Sequence, residues 1–307
     1  MTSPFGPLVL IANPGAGRGR VDRALPRVEA VLKQANLSYR IVRTTHRGHA
    51  TEAARQALRD GERYLVAVGG DGTVHEVVNG MVSGGPLVAD AVLGVVAAGS
   101  GSDFIRSFGL PADAEQAARH LAGDQVHPID VGTVTCADGE TRCFVNIAEV
   151  GLGAAVVAKA ANLGRLFGGA RYAAGFWLTL PRFRPATVRL DASGQYHAWR
   201  AFNVVVANCR FYGGGMQISP NSDPGDCLLD ILVMTGPKSD SFTTLPKVYS
   251  GAHLPHRNIA ELRAAQLSIE AEPDLPVEAD GEVLGVTPAS FGIIPGAIRL
   301  KVRARGW

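Results

Sequence analysis

Residues 64–80 read Tyr64-Leu65-Val66-Ala67-Val68-Gly69-Gly70-Asp71-Gly72-Thr73-Val74-His75-Glu76-Val77-Val78-Asn79-Gly80. Five apolar residues lead into a glycine turn that holds one carboxylate and one hydroxyl, and a helical pattern follows. A buried strand followed by such a turn and a helix suits a nucleotide phosphate. Gly69, Gly70 and Gly72 let the backbone come close and expose N–H groups, and a helix starting near Thr73 adds its positive end. Asp71 can hold Mg2+ or take a proton from an attacking hydroxyl. The same residues would also make an ordinary tight β–α turn.

Outward from this stretch, the first 125 residues alternate between two periodicities. Leu8–Ala12, Tyr39–Arg43, 64–68 and Val92–Ala97 read as strands. Ala24, Leu25, Val28, Val31 and Leu32 put one apolar face on a helix over 20–35, with Pro26 expected in its first turn or at a kink. Ala50, Ala53, Ala54, Ala57 and Leu58 do the same for His49–Arg59. Further helices are expected over 74–82 and 113–121. This order predicts a doubly wound α/β domain, a parallel sheet covered on both faces, with ligands beyond the carboxyl ends of the strands. Three glycine-containing segments follow strands in that way, at 13–19, 69–72 and 99–101.

After about residue 130 the texture changes. Segments 129–135, 142–148, 187–191, 202–207, 227–233, 267–270 and 298–302 are strand-like and often separated by turn residues. They predict a second, mainly antiparallel, sandwich-like domain. The expected boundaries are 1–129 and 130–295, with a last strand at about 296–307. One segment, 156–183, interrupts the β pattern. Leu163, Leu166, Phe167, Tyr172, Phe176, Trp177 and Leu180 stand there beside Arg165, Arg171 and Arg182. It reads either as a core-packing helical pair or as a mobile apolar cover over a lipid-sized pocket, with arginines near phosphate.

Composition narrows the function classes. With 46% hydrophobic and 19% charged residues, the 307-residue chain expects a packed core rather than disorder. A net charge of +2 argues against a dedicated nucleic-acid binder. Cys136, Cys143, Cys209 and Cys227 have neither zinc nor disulfide-framework spacing, so free thiols in a reducing cytosol are expected. The N-terminus lacks a signal pattern. The longest apolar run without charge, 150–157, is too short to span a bilayer.

Several segments together resemble the diacylglycerol kinase catalytic family, which includes bacterial lipid kinases and sphingosine kinases. They are Asn13-Pro14-Gly15-Ala16-Gly17, Thr44-Thr45 with Gly48-His49-Ala50, and Gly69-Gly70-Asp71-Gly72-Thr73 with Glu76, Asn79 and Gly80. Farther on come Ala98-Gly99-Ser100-Gly101-Ser102-Asp103-Phe104, Gly213-Gly214-Gly215-Met216, Asp226-Cys227-Leu228-Leu229-Asp230, and Asp280-Gly281-Glu282. Each motif alone is weak. Their order and spacing across residues 8–302 are specific. Three positions depart from the family pattern: Ser100 replaces threonine, Ser102 replaces asparagine and Cys227 replaces glycine.

The resemblance implies an N-terminal nucleotide domain like those of phosphofructokinase and NAD kinase, a C-terminal lipid-holding domain, and a site in the cleft between them. It implies ATP as phosphoryl donor, bound by Asn13, Gly15, Gly17, Thr45, Gly69, Gly70, Gly72, Thr73, Glu76, Asn79, Gly99, Ser100 and Gly101. Catalytic roles fall to Asp71, Asp280 and Glu282, with Asp71 a candidate Mg2+ ligand and one of the three the base. Asp223, Asp226 and the Leu228 carbonyl resemble a second, structural Mg2+ site, and a solvated loop is the plainer alternative. Thr45 would equally serve as a helix cap, and Glu76 and Asn79 share a helical face that could simply be solvated.

The expected protein is an ATP-dependent lipid kinase, with diacylglycerol or a related lipid as acceptor. It would be cytoplasmic and peripheral at the inner membrane surface, with no nucleic-acid partner and a homodimer left open. NAD kinase, which shares Gly-Gly-Asp-Gly-Thr, is the runner-up, and Val74-His75-Glu76-Val77-Val78-Asn79-Gly80 favours the lipid family. A regulator that has lost turnover is the third reading, against which Asp71, Asp280 and Glu282 speak.

Overall fold

A computed structural model describes residues 3–82, 88–99, 102–163 and 171–302. The chain divides into two compact units, Met1–Val131 with Pro295–Trp307, and Gly132–Ile294. Both crossings lie within continuous strands, β5 (Val126–Thr135) and β16 (Ala289–Lys301). No turn or change of composition marks them, so the division falls at 131/132 rather than at the expected 129/130.

In the first unit, β1 (Leu8–Ala12), β2 (Tyr39–Arg43), β3 (Tyr64–Gly69) and β4 (Val92–Ala97) pair in parallel in the order β2-β1-β3-β4. Arg299 and Leu300 of β16 add a further parallel pairing beside Val92 and Leu93 of β4; Arg303 lies outside the described residues. All residues of β1, β3 and β4 are buried, as a sheet covered on both faces requires.

α1 (Arg20–Gln34) and α5 (Ala114–His120) close one face, packing Leu25, Val28, Leu32 and Ala117 on Leu8, Leu10, Val66 and Val68. α2 (His49–Arg59) and α3 (Asp71–Val82) pack on each other. Pro26 is not in the first turn of α1. It sits inside the helix on the exposed side, where water can reach the carbonyl left without an N–H partner. α3 begins at Asp71, three residues before the expected start, because the glycine turn is already wound into its first turn. A short α4 (Asp103–Ser107) was not legible as a helix, being only five residues long.

The second unit is an antiparallel sandwich. One sheet has the order β12-β11-β10-β7-β14-β15, made of β7 (Ile147–Gly151), β10 (Asn203–Ala207), β11 (Leu229–Met234), β12 (Ile259–Ala264), β14 (Pro276–Ala279) and β15 (Glu282–Val286). The other joins the start of β16 to β13 (Gln266–Glu272), β8 (Ala186–Ala192) and β9 (Gln195–Ala201). Their facing side chains form one core, including Ala148, Val150, Val204, Val206, Ile231, Val277, Val188, Leu190, Ile269 and Phe291. The expected strand over 142–148 is two strands, β6 (Thr141–Phe144) and β7, broken at Val145-Asn146. α6 (Leu152–Asn162) and α7 (Arg171–Thr179) pack together as a helical pair, and α8 (Asp240–Val248) follows β11.

Candidate functional site

The chain leaves β1 through α1 to β2 on one side, and β3 lies on the other side of β1. That reversal is a topological switch point, the place where open α/β sheets bind ligands. The turns after β1, β3 and β4 meet there. A Cβ on Gly17, whose φ is +60°, would lie 2.1 Å from the Ala98 carbonyl, and one on Gly99 would lie 2.4 Å from the Gly70 Cα. Only glycine permits these approaches, so the three turns touch backbone to backbone. Asn13 shapes the first turn by accepting the Gly15 N–H on its Oδ1 at 3.0 Å, and Arg20 donates to the Gly99 carbonyl at 3.3 Å. The Thr73 hydroxyl is buried beneath Gly69 without a hydrogen-bond partner among the described residues. Close-packed glycine turns, the start of α3 and an orphaned hydroxyl fit a polyphosphate. Ser100 and Gly101 lie outside the described residues.

Asp71 is half-buried in the first turn of α3, and its Oδ1 accepts the Phe104 N–H at 3.0 Å. The turn after β4 thereby orients this carboxylate, which fits a Mg2+ ion that takes most of its other ligands from phosphates and water.

Other expected nucleotide contacts have different neighbours. Glu76 accepts the Ala50 N–H on its Oε2 at 3.1 Å and thus serves the start of α2. Asn79 is buried and donates to the His75 carbonyl within its own helix at 3.0 Å. Neither stands on a fully solvated face, since Glu76 is half-buried, Asn79 is buried, and α2 and α3 pack closely at Gly80, where a Cβ would fall 2.5 Å from the Thr51 carbonyl. Thr45 is exposed after β2. Its N–H donates to His49 Nδ1 at 3.0 Å, while the cap position of α2 is Gly48. The cap reading of Thr45 therefore fails, and its hydroxyl remains at the same end of the sheet as the glycine turns.

In the second unit, Asp280 and Glu282 stand at the turn between β14 and β15. They differ sharply. Asp280 Oδ2 accepts the Val145 N–H at 2.8 Å, and its Oδ1 accepts those of Asn146 and Ile147 at 2.9 and 3.2 Å. These bonds explain the break between β6 and β7, and they give Asp280 an anchoring task, with its own φ at +48°. Glu282 is half-exposed at the start of β15.

Beneath this turn lies a group that no motif announced. Glu278 and Glu149 are directly opposed across β14 and β7, and both are buried. Glu278 Oε2 accepts the Gly281 N–H at 2.7 Å, and Glu149 Oε1 accepts from the Asn203 amide at 2.8 Å. Gly153 makes room for Glu149, since a Cβ there would fall 2.0 Å from its Oε2. Burial pushes the Glu149 carboxyl up to about 7 against the opposing pull of Asn203 and Tyr212. Burial, reinforced by the Glu149 charge, raises Glu278 well above the usual carboxylate range. The only sequence signal was a glutamate in each of two otherwise apolar strands, on the face opposite to Ala148, Val150, Val277 and Ala279.

The loop 223–228 does not fit the expected structural Mg2+. Asp226 pairs through Oδ2 with the Arg263 guanidinium, whose Nε also lies 3.1 Å from Asp230. Asp223 Oδ1 accepts the Gly225 N–H at 3.1 Å, and the Leu228 N–H is held by Asp226 Oδ1 at 3.0 Å. A side-chain cation thus neutralises Asp226, one of the three groups assigned to the ion, and among the described residues no group of three His, Cys, Asp or Glu has metal-site geometry. Strand β12, which carries Arg263, was not read from sequence, so this partner was invisible there.

The comparisons with known proteins agree with these features. The diacylglycerol kinase catalytic domain model matches residues 7–134, and the YegS C-terminal NAD kinase beta sandwich-like domain model matches 146–302. The chain therefore belongs to the diacylglycerol kinase and YegS family of lipid kinases. A diacylglycerol kinase of Mycobacterium tuberculosis is 29% identical over 302 residues, covering 96% of this chain and 95% of that protein. A diacylglycerol kinase of Bacillus subtilis is 28% identical over 285 residues, covering 92% and 91%. In fold, a diacylglycerol kinase crystal structure from Bacillus anthracis superposes with a TM-score of 0.75 at 23% identity, covering 98% of each chain.

Proposed function

We propose that this lipid kinase transfers the γ-phosphate of ATP to the free hydroxyl of diacylglycerol or a close relative, working at a membrane surface it does not span. The observation that carries the reading is the backbone contact of three glycine turns at the switch point of the first unit, within a chain of this family. Gly15, Gly17, Gly69, Gly70, Gly72 and Gly99 would cradle the phosphates through backbone N–H groups, with the Asn13, Thr45 and Thr73 side chains beside them. Asp71 would hold Mg2+, which when bound neutralises charge on the phosphates. Phosphoryl transfer asks mainly for such neutralisation and alignment. In the second unit, Glu282, half-exposed at the start of β15, or Asp280, whose oxygens also accept three backbone N–H groups, would accept the acceptor hydroxyl's proton.

Radiolabelled ATP offered with Mg2+ and a panel of pure lipids in mixed micelles tests this reading. Label is expected in phosphatidic acid made from diacylglycerol. Label in NAD(H) and in no lipid would transfer the assignment to NAD kinase.

A further inference from the structure

Among the described residues seven large hydrophobics are exposed, and four of them lie on two neighbouring helical segments of the second unit: Trp177 at 43%, Leu178 at 45%, Phe242 at 63% and Tyr249 at 59% exposure. They are continuous, since the Trp177 and Phe242 rings are 5.0 Å apart between centroids. Phe242 and Tyr249 are seven residues apart, two helical turns, and so share a face. The Lys238 ammonium donates to the Pro181 carbonyl at 3.1 Å, tying the approach to α8 to the end of α7. A large apolar patch left open in this way marks an interaction surface.

Charge indicates the partner. Residues 150–190 contain six Lys or Arg and no Asp or Glu. Arg182 and Arg184, just after α7, and Lys247, near the end of α8, are exposed. Trp and Tyr rings with a polar edge, with exposed cations on the same segments, suit the headgroup region of an anionic bilayer. We propose that the α7–α8 surface docks the protein on an anionic phospholipid bilayer, with Trp177, Leu178, Phe242 and Tyr249 entering the interface and Arg182, Arg184 and Lys247 meeting headgroups. The proposal rests on the lipid-kinase reading and adds α8, which the sequence did not single out.

α7 also reaches the carboxylate turn. The Tyr172 hydroxyl lies 3.8 Å from where a Cβ of Gly281 would stand. At 1.5 Å per residue, the backbone from Tyr172 to Leu178 covers about 9 Å. Docking at the far end of α7 would therefore present a lipid headgroup within a short reach of Glu282.

The test is flotation of the full chain with vesicles of phosphatidylcholine alone or with phosphatidylglycerol added, beside activity on a short-chain, soluble diacylglycerol. Wild-type protein should bind the anionic vesicles and release them in high salt. The Trp177→Ser/Phe242→Ser and Arg182→Glu/Arg184→Glu double variants should each lose at least about tenfold in binding, at 1.4 kcal/mol per tenfold, and keep activity on the soluble lipid. Unchanged vesicle binding by both variants would overturn the proposal, as would equal binding to neutral vesicles or capture by a protein partner with no vesicle binding. Intact docking with no lipid phosphorylated would instead overturn the functional reading and leave the docking surface standing.

Discussion

Ser102 and Cys227, two of the positions that depart from the family pattern, both have left-handed backbones, with φ of 59° and 63°. Asparagine and glycine, the residues they replace, tolerate that region better than serine or cysteine. Cys227→Gly should therefore raise stability by about 1 kcal/mol in urea unfolding; an unchanged or lower midpoint would mean that the cysteine's own contacts outweigh its backbone strain. The carboxylates separate at the same scale. Asp280→Asn leaves at least one buried backbone N–H facing an amide NH2, so a loss of about 1–3 kcal/mol is expected. Glu282→Gln and Asp71→Asn should instead remain folded and lose at least about 10²-fold in turnover. A Glu282→Gln enzyme with near-normal turnover would leave Asp71 or Asp280 as the base.

Between elements, the contact of the β3 and β4 turns is the most demanding feature of the first unit. Gly99→Ala would set a methyl group 2.4 Å from the Gly70 Cα, where only backbone could yield. The expected outcome is a rise in KM for ATP of at least about tenfold with the thermal midpoint nearly kept, since a turn can shift by an ångström while the sheet stays packed. In the second unit, Arg263 joins β12 to the Asp226 loop and to Asp230 on β11. Removing it leaves Asp230, which is buried, without its half-exposed cation, and a buried carboxylate that loses its partner is costly. Arg263→Ala should lower the midpoint by several degrees. Mg2+ without ATP should not stabilise the wild type, because a guanidinium already holds that loop. A Mg2+-dependent rise that Asp223→Ala abolishes would restore the ion to this site.

At the scale of the whole molecule, the Glu149–Glu278 pair makes stability depend on pH. The folded-state pKa of Glu149, about 7, lies above its ordinary value of 4.5. The folded form therefore holds a proton that the unfolded chain gives up. The stabilisation is complete below about pH 4.5 and is lost as pH rises through 7, a loss on the order of 3 kcal/mol for a buried group with this shift. Glu278, raised as well, extends the fall to higher pH. Urea unfolding at pH 5.5 and 8.5 should show the wild type weaker at the higher pH. Glu149→Gln, which keeps an acceptor for Asn203, should reduce the difference and leave the part due to Glu278. Equal pH dependence in both proteins would mean that Glu149 does not hold the linked proton.

The sequence by itself determined the four parallel strands and the longer helices of the first unit, because an apolar run of period one or a stripe of period 3.6 is a local property of a covered sheet and its helices. It likewise showed Gly69-Gly70-Asp71-Gly72 and Asp280-Gly281-Glu282, whose meaning lies in adjacent residues. Strands β9, β12, β14 and β15 were not legible. They are short or half-solvated, and what holds them is pairing with partners far along the chain. Only the tertiary structure separated Asp280, bonded to three N–H groups some 135 residues away in sequence, from Glu282. Tertiary packing also turned Glu76 and Asn79 toward helix contacts and paired Arg263 with Asp226, one of the groups expected at a metal ion. It brought Glu149 and Glu278 face to face, because a buried charge acquires its energy from what packs around it.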